Sequence, residues 1–200
     1  MNRRLAITIS AATIAAATIP WLRSTRLGDA VSAAEEPQIS AVQTAAIRAL
    51  LALDHPRAPA LSAAALSARM DGLYHLNEDP IFVGALTVLN SVAAFSDPPA
   101  LLLLAERATG RSQAEIETAL DRDRARLREW QTRNGSPAHA FTELKLEHAR
   151  GYLDLWLDSG LGVRRRFFRS LTSLVMATAY TTDEYWHAIE YEGPYLSRPR

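Results

Sequence analysis

Apolar and polar residues recur along this chain at helical spacing, and turn-forming residues cut the pattern into segments. Ile39 to Leu53 is rich in Ala and Leu and stops before Asp54-His55-Pro56. Leu61 to Met70 forms a second short segment that ends near Asp71-Gly72. Ile81 to Phe95 is almost wholly apolar, as in a helix buried on every side. Ser96-Asp97-Pro98-Pro99 breaks it, and Pro99 suits the opening of a short helix over Ala100 to Ala108. Ser112 followed by Glu115 is a capping-box pattern. Behind it, Ile116, Leu120, Leu127 and Trp130 share one helical face, and Asp121, Arg122, Arg124, Arg126 and Arg128 largely cover the others. Asn134-Gly135 closes that helix. Ser136-Pro137 predicts the start of another, running to Asp158, and a last long helix is predicted from Val163 to Ala179. There is no alternating strand run and no internal repeat. The expected fold is all-α, a single orthogonal bundle of roughly six to eight helices packed at varied angles.

The first 34 residues read differently. Arg3 and Arg4 precede an uncharged stretch from Leu5 to Leu22, and small residues follow at Ala33 and Ala34. Basic, then apolar, then small is the order of a secretory signal. The stretch is mild and holds Pro20, which makes it marginal as a membrane span. The paired arginines point to twin-arginine export, which carries folded proteins; general secretion or an uncleaved anchor is the alternative. The expected organisation is an export signal over 1–34 and a helical domain over 35–200, with an aromatic tail at 180–196.

Composition narrows the function. The chain of 200 residues suffices for one domain with a sizeable core. Its 22 basic and 22 acidic residues balance, which argues against a general binder of nucleic acid or anionic membrane. The basic side is nearly all arginine, Lys145 being the only lysine. Arginine forks carboxylates and stacks on aromatics better than lysine does. With no cysteine there is no disulfide, thiolate metal site or haem attachment.

Local charge patterning raises one conflict. Arg164, Arg165 and Arg166 stand at the start of the last helix, and Asp154 and Asp158 at the end of the one before. Both placements oppose the helix dipole. The Ser159-Gly160-Leu161-Gly162 turn between them predicts that acids and arginines meet across a hairpin. Alternatively, Arg164 and Arg165 face the carboxylates of a partner protein.

Catalytic signatures are missing from the sequence: no P-loop, dinucleotide glycine fingerprint, nucleophile elbow or His-Glu-x-x-His. Glu143, Glu147 and His148 lie close in sequence beside His139, but a di-iron bundle needs Glu-x-x-His on two helices. His75, Glu78 and Asp79 run in the reverse order before a proline. These groups are expected to be ordinary polar side chains facing solvent. Trp130, Trp156, Phe167 and Phe168 read as core.

The tail is the remaining signal. Tyr180, Tyr185, Trp186, Tyr191 and Tyr195 crowd into 17 residues, "YTTDEYWHAIEYEGPYL". Residues 161 to 195, "LGVRRRFFRSLTSLVMATAYTTDEYWHAIEYEGPY", pair an apolar helix with a Tyr-Thr-Thr turn, a short segment carrying Trp186, and Ile-x-Tyr-x-Gly-Pro. This resembles the C-terminus of the small-subunit family of gluconate 2-dehydrogenase and related periplasmic flavin dehydrogenases. Phe167, Phe168, Tyr180, Thr181, Trp186, Tyr191, Gly193 and Pro194 occupy the matching places, and Glu190 stands where that family usually has glycine.

The resemblance implies a chain with no catalytic, cofactor-binding or metal site of its own. It implies a large partner subunit of the glucose-methanol-choline (GMC) oxidoreductase type holding FAD, and in many cases a multihaem cytochrome c. The small subunit's export signal would carry both chains to the periplasm. Arg164, Arg165, Tyr180, Trp186, Tyr191 and Tyr195 are then the expected partner contacts, since Tyr, Trp and Arg are favoured interface anchors. The competing reading is a stand-alone periplasmic helical protein binding a small apolar ligand, with the aromatic tail as a lid.

Overall fold

The computed structural model describes residues 36–51, 62–135 and 139–182. It is an all-α helical bundle, and no β-strand occurs among the described residues. Among the described residues the helices are, in chain order, α1 (Glu36–Leu51), α2 (Ala63–Tyr74), α3 (Pro80–Asn90), α4 (Ala93–Ser96), α5 (Ala100–Arg107), α6 (Gln113–Asn134), α7 (Leu146–Leu157) and α8 (Gly162–Ala179). Single 3-10 turns lie at Leu76–Glu78 and Phe141–Glu143.

Helix ends follow local chemistry. The α6 start is the expected capping box: Ser112 Oγ accepts from Glu115 N at 3.3 Å, and Glu115 Oε2 accepts from Ser112 N at 2.8 Å. Gly135 closes α6 at φ 63°, a left-handed conformation that costs glycine nothing. Asp79 caps α3 by accepting from Ile81 N at 2.9 Å, with Pro80 at the first helical position. The α2 helix runs past the expected stop at Gly72. His75 takes the left-handed cap instead, at φ 52°.

The apolar run 81–95 was expected as one helix, and the structure divides it. Ser91 leaves the helix and forms an isolated antiparallel bridge with Ala140. Val92 N donates to His139 O at 3.2 Å, so a backbone donor freed by the break finds a partner. The helix expected from Ser136-Pro137 starts later, at Leu146.

The main core gathers α1, α2, α3, α7 and α8, with α6 supplying Leu127 and Trp130. Val42, Ala46 and Ile47 of α1 are fully enclosed. Tyr152 of α7 is the aromatic hub, its ring centroid within 5.7 to 5.9 Å of those of Trp130, Phe141 and Phe95. Burial pushes its phenol up to about 12, so it stays neutral across the biological range. Trp130, Trp156 and Phe168 are buried as expected, and Phe167 packs against the core. A smaller apolar cluster joins Ile116, Ala119 and Leu120 of α6 to Leu161, with Leu102 and Leu103 of α5 alongside. It seats the turn between α7 and α8.

That turn approaches α6 closely. A Cβ at Gly160 would lie 2.8 Å from Ala119 Cβ and 2.9 Å from its Cα and O. Gly160→Ala therefore forces the α6 backbone and the turn apart, and we expect a loss of about 1–3 kcal/mol. Gly72 of α2 has open space around the same position. Gly72→Ala is expected to stabilise by up to about 1 kcal/mol through helix propensity. Thermal melting of the two variants checks the contrast, and equal shifts would refute it.

Candidate functional site

Three charged residues lie on helical faces that are otherwise apolar: Glu106 of α5, Asp123 of α6 and Arg164 of α8. Each is 0 % exposed. Charges are costly to bury alone, and each of these is paired and hydrogen-bonded.

Arg164 and Asp123 form the centre. Arg164 Nη1 donates to Asp123 Oδ2 at 2.8 Å, and Nη2 donates to Ala94 O at 2.9 Å. The guanidinium carbon lies 4.4 Å from the Phe95 ring centroid and 5.7 Å from that of Trp156, a stacking that suits arginine. Asp123 accepts two more bonds from the turn, Ser159 Oγ at 2.5 Å and Gly160 N at 2.7 Å. Ser159 Oγ in turn accepts from Leu161 N at 3.1 Å. One carboxylate thus holds both the entry and the exit of the turn. Burial draws the Arg164 guanidinium below its ordinary value, and the charge of Asp123 opposes that shift.

Glu106 completes the scaffold from the other side. Its Oε1 and Oε2 accept from Gly162 N and Val163 N, each at 2.9 Å, so the carboxylate caps the N-terminus of α8. Arg111 Nη1 donates to Glu106 Oε1 at 2.7 Å and to Gly160 O at 2.9 Å. Burial pushes the Glu106 carboxyl up. The Arg111 hydrogen bond, the two backbone donors and the Arg111 charge outweigh it and hold the group below its ordinary 4.5.

Outside this scaffold lies an open groove of about 780 Å³ along the α7–α8 turn. Arg111, Arg122, Arg165, Arg166 and Arg169 line it, against the carboxylates of Glu106 and Asp158. Arg165 donates to Ser159 O, and Asp158 lies 3.8 Å from Arg126. Arg122, Arg166 and Arg169 have no carboxylate within ion-pair distance among the described residues. The groove is a concentration of positive charge on a chain whose total is neutral.

The sequence-expected contacts divide. Arg164 faces inward, so it is unavailable to a partner surface, which corrects that expectation. Its phase on α8 explains the difference: Arg164, Phe168, Leu171 and Val175 repeat every three or four residues as the buried stripe. The acids expected to meet the arginines across the hairpin are also replaced. Asp123 on α6 pairs with Arg164, and Glu106 on α5 offsets the dipole. Arg165 is half-buried at the groove, and Tyr180 is 48 % exposed after the end of α8. Arg3, Arg4, Trp186, Tyr191 and Tyr195 lie outside the described residues. Glu106, Asp123, Arg111, Arg122 and Arg169 were not singled out as site residues from the sequence.

Among the described residues no group of three acidic or histidine side chains could hold a metal ion, and no helix is long and apolar enough to cross a membrane. Comparison with family models, curated proteins and solved structures gives no match.

Asp123→Ala strands Arg164 and two turn donors, and a loss of about 3–5 kcal/mol is expected. Arg164→Met leaves Asp123 its two donors from the turn and costs less. The double variant is expected to lose less than the sum of the two, because each single change strands the other's charge. Urea unfolding of the three variants measures this, and strict additivity would refute the coupling.

Glu106 makes stability depend on pH. Its folded value is depressed, so its contribution is fully present above the ordinary 4.5 and is lost as pH falls from there through the folded value. Glu106→Gln is expected to cost about 1–3 kcal/mol at pH near 7. The gap to the unaltered chain narrows below 4.5. Melting curves across that range test it, and a gap that widens in acid would reverse the assignment.

Proposed function

We propose that this chain is the non-catalytic small subunit of a periplasmic FAD-dependent dehydrogenase of the GMC type, acting on sugars or alcohols. In this reading it holds and stabilises the FAD-bearing large subunit. Its N-terminal signal, with Arg3 and Arg4, escorts the pair through twin-arginine export. FAD resides in the partner, and in the family it resembles a multihaem cytochrome c often completes the complex.

The observation that supports a holding role is how charge is used at the α7–α8 turn. Glu106, Asp123 and Arg164 are all engaged in fixing the turn. What remains outward is a row of guanidinium groups over an open groove. Guanidinium groups at neutral pH neither accept a proton nor attack a carbon, but they bind carboxylates well. The same lining suits an apolar ligand poorly, which weighs against the stand-alone carrier. The identity of the partner rests on the resemblance of residues 161–195 to the dehydrogenase small subunits.

The test is one substitution read two ways. Trp186→Ala is expected to reduce co-purification of a flavin-bearing large chain from the periplasm by roughly tenfold or more, as loss of an aromatic interface anchor does. The melting temperature of this chain alone is expected to move by only a few degrees. Full retention of the partner with a collapsed melting temperature would mean that the tail serves its own fold, and the subunit reading would fail.

A further inference from the structure

Arg166, Arg169 and Ser173 of α8 and Tyr180, just past its end, are all exposed. At roughly 100° per residue they fall within about 60° of one another around the helix axis. They form one outward stripe, opposite to the stripe that carries Arg164, Phe168, Leu171 and Val175 into the core. At its N-terminal end the stripe opens into the groove, which Arg122 of α6 and Arg111 of the α5–α6 connection also line. At its C-terminal end stands Tyr180, and Arg69 of α2 donates to Thr181 O at 2.8 Å, fixing the exit of the chain from α8. From Arg166 to Tyr180 the stripe rises about 21 Å along the helix axis.

We propose that this stripe and groove together form a docking surface for an acidic segment of a partner protein, seated with its carboxylates against Arg122, Arg166 and Arg169 and its far end against Tyr180. The proposal deepens the subunit reading and rests on it, since it names the face by which the chain holds its partner. Three features favour protein carboxylates. The three arginines are paired with no carboxylate among the described residues, and each presents a planar fork that fits one bidentately. They line one open groove of about 780 Å³, far larger than a small anion fills. Exposed Leu157, 38 % accessible, also lines the groove and suits an aliphatic or aromatic side chain between the acids. The floor is no place for a small anion either, because Glu106 already occupies the α8 N-terminus with its own carboxylate. An extended acidic chain lies across the rim and keeps clear of it.

The experiment titrates the full-length chain with a fluorescein-labelled hexaglutamate peptide, read by anisotropy. Three proteins are compared: the unaltered chain, Arg166→Glu/Arg169→Glu in the stripe, and Arg128→Glu/Arg133→Glu near the far end of α6 as a control of equal charge change. All three are expected to melt alike, since the four arginines are exposed. The stripe variant is expected to bind the peptide at least roughly tenfold more weakly, and the control within about twofold of the unaltered chain. Binding is expected to weaken as salt rises through about 0.15 M.

Equal weakening in both variants would reduce the effect to overall charge and overturn the proposal. So would an absence of binding by the unaltered chain. Displacement of the peptide by inorganic pyrophosphate at lower concentration than by unlabelled hexaglutamate would mark a small-anion site and overturn it as well. The outcome is separable from that of the subunit reading. Stripe-dependent peptide binding with no flavin-bearing protein co-purifying supports the surface and removes only the flavoprotein as its occupant. Undiminished co-purification of a flavoprotein with the stripe variant overturns the surface and leaves the subunit reading standing.

Discussion

Asp123 and Arg164 are removed from water together, and the order of the α7–α8 turn depends on that burial. Two opposite charges in a low-dielectric interior repay their desolvation only when the geometry is good and the remaining donors and acceptors are satisfied. Here the carboxylate takes three donors, and the guanidinium adds one carbonyl and two aromatic faces, with its buried Nε the one donor left without an acceptor. Four elements meet at this pair: α4 through Phe95 and Ala94, α6 through Asp123, α7 through Trp156, and α8 through Arg164. A hydrophobic pair of similar volume could fill the same space. It could not hold Ser159 Oγ and Gly160 N, and so could not set the path of the chain between the last two helices. Specificity of the turn, more than stability, is what the buried pair supplies.

Glu106 solves a second problem created by the first. Placing Arg164 in the first turn of α8 puts a cation where the helix dipole disfavours one. A buried carboxylate at the two leading amides offsets it, and Arg111 balances that carboxylate in turn. The result is a set of compensated charges: Arg111 balances Glu106, Glu106 balances the α8 N-terminus and offsets its effect on Arg164, and Asp123 balances Arg164. Removing one exposes the next, which is why the expected effects of single substitutions here exceed those at exposed ion pairs such as Arg133–Glu129.

Much of the fold was legible from spacing. The α6 register, its capping box and its closing glycine could be read directly, because local chemistry alone decides them. The α8 boundaries were legible from the turn residues on either side, although the carboxylate that caps its start comes from Glu106 on α5. The division of 81–95 was not, because the break at Ser91 is stabilised by Ala140 and His139, some 50 residues away. The site was less legible, yet it left a trace. Asp123 follows Ile116 and Leu120 and precedes Leu127 and Trp130 at the same spacing, so a charge sits on the apolar face of α6. Arg164 stands in the same relation to Phe168 and Leu171. Two opposite charges, each out of place on an otherwise apolar stripe, are a readable sign of a buried pair. Treating Arg164, Arg165 and Arg166 as one basic run concealed it. The charge run belongs to two faces.

That division ties the interior to the surface. A helix is rigid enough that fixing one residue's direction fixes those of all the others. Once Arg164 is committed to Asp123, Arg165 lies roughly 100° away, Arg166 about 200° and Arg169 about 140°, so all three turn from the core. Rotating α8 by one residue in the packing would put Arg165 against the Phe95 and Trp156 rings. It would also turn Arg164 to the direction now held by Val163, against the small apolar cluster, and strand Asp123. The buried pair therefore excludes the neighbouring register, much as a single polar residue fixes register in a coiled coil. The arrangement of guanidinium groups on the outside is a consequence of one ion pair on the inside.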